Sequence, residues 1–209
     1  MSAQTTLTMA DGRGIDLLAV KAADIIFPTL AEHLAKENRF NGATPGITYS
    51  VAQHLCLGAD AMIYAGATDE ETAYFLLHDT QEGLWKDDPT PKKIAIATRI
   101  AERCGVLSSD ILNVLDSIVD EHDTAIHQAA GLPWPPKPEI ARIVKLYDLI
   151  MFVTEWRDLM RDILHPNWAP YSGIRPLADV IVPWNWSKSA NEYLIRLSRY
   201  LPALRKRAA

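Results

Sequence analysis

Cysteine is scarce in these 209 residues. The two present, Cys56 and Cys104, are too few for a disulfide framework and have no metal-type spacing. They read as reduced core residues of a cytosolic protein. Long apolar runs are missing too. No stretch reaches the roughly 18 apolar residues of a membrane helix, and the N-terminus lacks a basic region followed by an apolar one. This pattern predicts neither a membrane span nor a signal peptide. Basic residues are outnumbered: 21 Lys and Arg against 26 Asp and Glu give a net charge of −5. That argues against a binder of large nucleic acids with a broad basic surface, but allows a small anionic substrate in a local basic pocket. Internal repeats, low-complexity segments and a convincing domain boundary are absent as well. What is present, 48% apolar and 22% charged residues, can bury a sizeable core in one domain.

Residues 4–20 read as a β-hairpin around Asp11-Gly12-Arg13-Gly14, too short to stand alone. The rest reads as six to eight helices, so the expected fold class is all-α. Pro28 starts a helix that runs to about Lys36. Asn38 to Gly46 is a loop carrying Arg39 and Phe40. From Thr48 to Ala65 the spacing is helical, with Val51, His54, Leu55, Gly58 and Met62 on one face. Thr68 and Glu71 form a capping box ahead of a helix that is apolar on nearly all sides from Ala73 to Leu77, the pattern of a central helix. Helices follow from Pro91 to Arg103, with Gly105 as a stop, and from about Asp110 to Ala129, capped by Ser108 or Ser109. A Pro-rich connector, 131–138, enters a long helix from Glu139 to Leu164. Its apolar stripe includes Val144, Tyr147, Met151 and Thr154. Residues 166–186 are loop-rich, Ser187 to Tyr200 is a closing helix, and the tail after it is expected to fray.

Residues 74–93, YFLLHDTQEGLWKDDPTPKK, run four large apolar side chains into His78-Asp79. Buried polar groups of this kind are costly unless they are paired or bind a metal. His54 points inward from an earlier helix, and Asp148 sits inside the edge of the long helix's stripe, three residues after Lys145. An inward histidine taken alone is more often a hydrogen-bonded core residue. Together, two imidazoles and two carboxylates on core-facing helices are a ligand set for one divalent metal, with positions left open for water and substrate.

The order His54, His78-Asp79, Asp148 resembles the HD-domain metal-dependent phosphohydrolases. Arg39-Phe40 ahead of TYSVAQH (48–54), FLLHDTQEG (75–83) with DDPTPKK (87–93), and KLYDLIMFVTEWRDL (145–159) are similar to segments of bacterial 5′-deoxynucleotidases and their phage- or prophage-associated relatives. The resemblance covers roughly residues 28–165 and implies a single HD-domain helical bundle. It implies His54, His78, Asp79 and Asp148 as ligands of one divalent ion (Mn, Co, Mg, Fe or Zn). Glu82 would position or deprotonate the attacking water. Arg39 would hold the phosphate, a task suited to its planar fork of donors. Phe40 would pack near the sugar, where the nucleotidases often carry tryptophan. Asp87 would contact the 3′-hydroxyl, and Lys93 and Lys145 would reach phosphate oxygens, with Asp88 and Lys92 as alternatives to their neighbours. The implied activity is hydrolysis of deoxynucleoside 5′-monophosphates by a cytoplasmic homodimer or larger oligomer. The alternatives are a deoxynucleoside triphosphate triphosphohydrolase and a non-catalytic nucleotide-binding regulatory module.

The remaining polar residues have plainer expectations. His122-Asp123, a second HD dipeptide in a polar run, reads as a solvated helix face, with His127 about 140° round the helix. His33 and His165 read as a helix-surface and a helix-end residue. Glu155, Arg157, Asp158 and Arg161 read as ion pairs bracing the long helix, and Trp134, Trp168, Trp184 and Trp186 as packing or dimer contacts.

Overall fold

The helix with no polar face is the one that the others surround. In this computed structural model, which describes residues 4–86, 88–160, 171 and 173–208, α3 (Asp69–Leu77) buries Ala73 through Leu77. Its start is fixed by the expected capping box. Thr68 Oγ1 accepts from the Glu71 N–H at 3.2 Å, and the Glu71 carboxylate accepts from the Thr68 N–H at 2.8 Å. Asp69, Glu70 and Glu71 favour the positive end of the helix dipole.

Three long helices pack against α3: α2 (Val51–Tyr64), α7 (Pro138–Leu159) and α8 (Trp186–Tyr200). On α2, which is capped by Ser50 Oγ, Val51, His54, Leu55, Gly58 and Met62 are all buried, as their spacing predicts. Gly58 is where α2 comes closest to α3: a Cβ there would lie 2.2 Å from the Phe75 ring. The closing helix, capped by Asn185, buries Tyr193, whose hydroxyl donates to the Leu76 carbonyl at 2.7 Å and meets Thr80 Oγ1 at 2.7 Å. Both partners flank His78-Asp79, so α8 clamps the end of α3.

Around this centre, α1 (Phe27–Lys36) packs on α8, α2 and the single-turn α4 (Glu82–Trp85). α5 (Thr90–Cys104) and α6 (Ser108–Ala130) pair as a hairpin across Gly105, which takes the left-handed φ of +69° that ends α5. The strands β1 (Thr6–Thr8) and β2 (Gly14–Asp16) are antiparallel, with Leu7 opposite Ile15. Met9 and Ile15 join the core, so the hairpin is held by burial as well as by its own ladder. The fold is therefore an all-α bundle with a small N-terminal hairpin, and no helix among the described residues is long and apolar enough to cross a membrane.

Several expectations change. The tail does not simply fray, because α9 (Pro202–Ala208) follows and seats Leu204 against the core. Ser108 is the first residue of α6 and provides no cap. Cys56 is a buried thiol, but Cys104 is exposed. His33 bridges elements: Nδ1 donates to the Gly83 carbonyl at 2.9 Å, and Nε2 accepts from the Ala10 N–H at 3.1 Å. The long helix ends at Leu159, with Met160 in extended backbone, short of the expected Leu164; Asp87, residues 161–164 (Arg161 included), His165 and Trp168 lie outside the described residues.

Candidate metal centre

Phe75 and His78 show how the end of α3 is shaped for its role. The helix finishes at Leu77, and His78 turns its Nδ1–H back onto the Phe75 carbonyl at 2.7 Å. In the neutral ring, the form a metal ion would bind, the other nitrogen, Nε2, is then a lone pair. On α2, His54 donates Nδ1–H to Glu155 Oε1 at 2.6 Å, so its Nε2 is a lone pair too. These two nitrogens face each other at 3.5 Å. Asp79 Oδ2 lies 3.7 Å from His54 Nε2 and 3.4 Å from His78 Nε2, and Asp148 Oδ1 lies 3.7 Å from each.

Two lone pairs and two carboxylates aimed at one point repel each other unless a cation sits between them. With ligand bonds of about 2.1 Å, neighbouring donors would stand about 3.0 Å apart around an octahedral ion and about 3.4 Å around a tetrahedral one. The observed 3.4–3.7 Å is close to that range. Among the described residues, His54, His78, Asp79 and Asp148 form the group that could hold a metal ion, with donor atoms within 4.8 Å of one another. A hydrogen-bonded carboxylate behind His54 fixes its tautomer, as metal-binding imidazoles require.

The charges agree. Asp79, Glu82, Asp148 and Glu155 surround Arg39, and Lys145 donates to Asp148 Oδ2 at 2.8 Å. Four carboxylates thus face two cations, which leaves room for a divalent ion when the imidazoles are neutral. Burial lowers the His78 pKa, but the Asp79 and Asp148 carboxylates outweigh it and lift it to about 9. Burial likewise opposes ionisation of Asp148, yet His78, His54 and Lys145 hold it well below the usual carboxylate range.

Arg39 reaches the site through an unusual turn. Its N–H donates to the Tyr49 carbonyl at 2.9 Å, which ties the loop to the start of α2. Phe40 and Asn41 then take left-handed φ values of 56° and 53°. For a phenylalanine this costs on the order of 1–3 kcal/mol and persists only where the surroundings impose it. Phe40 packs its ring near Phe152 and Trp156, at centroid distances of 6.0 and 6.2 Å, and the guanidinium is turned inward. Arg39 donates to Asp79 Oδ2 at 3.0 Å and to Glu155 Oε2 at 3.3 Å.

Arg39, Glu82 and Asp79 line a cavity of about 490 Å³ together with Phe40, Lys93 and Lys145. Asp148 joins Arg39, Glu82 and Lys145 around an adjoining recess of about 210 Å³. The structure thus brings together every described residue of the expected site. It also separates two neighbours: Lys92 pairs with Asp88 at the surface, whereas Lys93 lines the cavity. The larger cavity, about 850 Å³, is walled by Ile25, Ile26, Phe27, Leu194 and other uncharged side chains, so it offers no chemistry of this kind.

Two expectations are corrected. Glu155 does not brace the helix surface. It is fully buried behind His54 and Arg39: burial opposes its ionisation, but the Arg39 guanidinium and the hydrogen bond from His54 hold its carboxyl below the ordinary value. Arg157 and Asp158 do pair with each other, and they also fasten the C-terminal segment through Leu177, Asp179 and Ile181. The second correction is His122-Asp123, which is not a solvated face. His122, Asp123 and His127 are all buried under the hairpin, Trp85 and the Pro-rich connector. Burial, with Asp79 nearby, pushes the Asp123 carboxyl up to about 8, and burial pushes His127 down to about 4.

No family model matches the chain. It is similar to the uncharacterized protein YfdR of Escherichia coli (strain K12), 31% identical over 140 residues. The match takes in 66% of this chain and 64% of that relative's length.

Proposed function

We propose that the chain is an HD-domain phosphohydrolase that cleaves deoxynucleoside 5′-monophosphates to deoxynucleoside and phosphate. The observation that carries this reading is that Arg39 and Glu82 share one recess with Asp79 and Asp148, two of the four residues grouped closely enough to hold a metal ion. A divalent cation held by His54, His78, Asp79 and Asp148 would supply a Lewis acid and a water of lowered pKa. Glu82, at the first turn of α4, would orient the attacking water and accept its proton. Arg39, braced between Asp79 and Glu155, presents its guanidinium to the phosphate oxygens. Lys145 and Lys93 offset the charge that grows on the leaving group. Phe40 and Phe152 form an apolar wall for the sugar.

The reading extends to self-association. α5 buries only Ala97, and Ile96 and Ile100, one turn apart on the same face, are exposed, a small apolar patch that a second copy would cover.

The test is a screen of dNMPs and dNTPs with protein loaded with Mn²⁺, Co²⁺ or Mg²⁺. Orthophosphate release from monophosphates, abolished together with metal retention in Asp79→Asn, is the expected result. Tripolyphosphate release from dNTPs would instead make the protein a triphosphohydrolase. Nucleotide binding without turnover under every metal would make it a regulatory module.

A further inference from the structure

The chain has a third cavity at the metal centre, about 300 Å³, which the proposed reaction does not use. It lies among α3, α6, α7 and the Pro-rich connector. It shares Asp79, Lys145 and Asp148 with the recess that holds Arg39 and Glu82, so the two open off the same centre. Its own walls are Tyr74, His127, Trp134, Pro136, Ala141 and Val144.

These walls are aromatic and rigidly held. Tyr74 stacks on His127 at a centroid distance of 5.4 Å, and His127 meets Trp134 at 4.4 Å. The Tyr74 hydroxyl donates to the Pro133 carbonyl and the Trp134 N–H to Asp120, both within 2.8 Å, so neither is left for a ligand. His127 differs. It is 1% exposed, and its Nδ1–H donates to the Asp123 carbonyl at 2.8 Å. Nε2 is therefore a lone pair, and it has no hydrogen-bond partner among the described residues. Burial keeps the ring neutral at physiological pH. A buried acceptor without a donor is costly, and here it belongs to a residue that lines a cavity.

We propose that this cavity is the nucleobase subsite. The base lies against the Tyr74–His127–Trp134 wall, and a ring N–H or exocyclic amino group donates to His127 Nε2. This rests on the nucleotide-hydrolase reading and adds to it a pocket that senses the base. At about 300 Å³ the cavity is at the small end for ligand pockets, enough for one ring system and too small for a whole nucleotide. The phosphate accordingly stays with Arg39. The wider cavity beside it also has aromatic side chains, Phe40, Trp85 and Phe152, but sets them among Arg39, Lys86, Asp88 and Lys93, so it suits the phosphate and sugar better than a flat apolar ring.

The experiment compares the four dNMPs with 2-deoxyribose 5-phosphate, which lacks a base. Binding is titrated in metal-loaded protein carrying Glu82→Gln to stop turnover, and phosphate release is measured in parallel with Glu82 intact. His127→Phe keeps a ring but removes the acceptor. Ala141→Phe fills the cavity from an exposed helix position that the core does not need. Ala141→Phe should weaken dNMP binding about 10-fold or more, the range for losing base stacking, and His127→Phe about 2–10-fold, the range for losing one hydrogen bond. Binding of the sugar phosphate and metal content should not change. Equal loss for both ligands, or loss for neither, with turnover intact in the parent, overturns the base subsite alone. A parent protein that neither binds nor hydrolyses nucleotides overturns the hydrolase reading and the subsite with it.

Discussion

Glu155 carries more of the site than its position in the chain suggests. One oxygen receives the His54 Nδ1–H and the other receives Arg39, so a single buried carboxylate sets both an imidazole lone pair and a guanidinium. Glu155→Gln keeps the shape and removes the charge. Metal affinity should fall about 10–100-fold, as it does when the carboxylate behind a metal-binding histidine is lost; calorimetric titration with Mn²⁺ checks this, and unchanged affinity would show that His54 needs no anionic partner. His54, His78, Asp79 and Asp148 were legible in the sequence because each interrupts an apolar face. Glu155 was not, because it sits in the polar-looking run Thr154-Glu155-Trp156-Arg157-Asp158. A signal did exist: seven residues after Asp148 is two helical turns, within about 20° of the same face. What the sequence hid is the cover, since Leu177 and Ile181 bring a distant segment back over the end of α7.

Between elements, the spacing of α2 and α3 sets the distance from His54 to His78. Gly58 is one turn beyond His54, and Phe75 holds His78 through its carbonyl. Gly58→Ala would force the Phe75 ring away. The expected cost is about 1–3 kcal/mol of overpacking, together with weaker metal binding because His78 moves with α3. Urea denaturation with an unchanged slope, paired with the metal titration, measures both effects. Stability lost with metal affinity kept would uncouple the packing from the site. α2, α3 and the Gly105 stop are legible in the sequence because period, cap and terminator agree. The composition of α6 misleads. His122, Asp123, Ile126, His127 and Ala130 fall on one helical face and are all buried, but the polar run VDEHDTAIHQ pointed to solvent. The buried face becomes legible only once the hairpin, Trp85 and the connector are known to pack on it.

For the whole molecule, that buried face makes stability depend on pH. Asp123 titrates near 8 in the fold against about 3.9 in an unfolded chain, so between those values the folded state holds the extra proton. Its contribution is fully present below the lower value and is lost as pH rises to about 8. His127 has the opposite sign. Its folded pKa near 4 is below the unfolded value of about 6.5, so its contribution is present above 6.5 and lost as pH falls towards 4. From about pH 4 to 6.5 the two slopes oppose each other. Above 6.5 only Asp123 of the pair remains, and His78, lifted to about 9, adds to the loss in metal-free protein. Asp123→Asn removes one of these contributions and leaves the others in place. Thermal or urea unfolding in chelator should show the variant gaining on the parent by about 1.4 kcal/mol per pH unit, about 2 kcal/mol between pH 6.5 and 8, and no further above that. A gap that stays constant across this range would mean that Asp123 is ionised in the fold, and the buried face of α6 would then need a cation partner beside it.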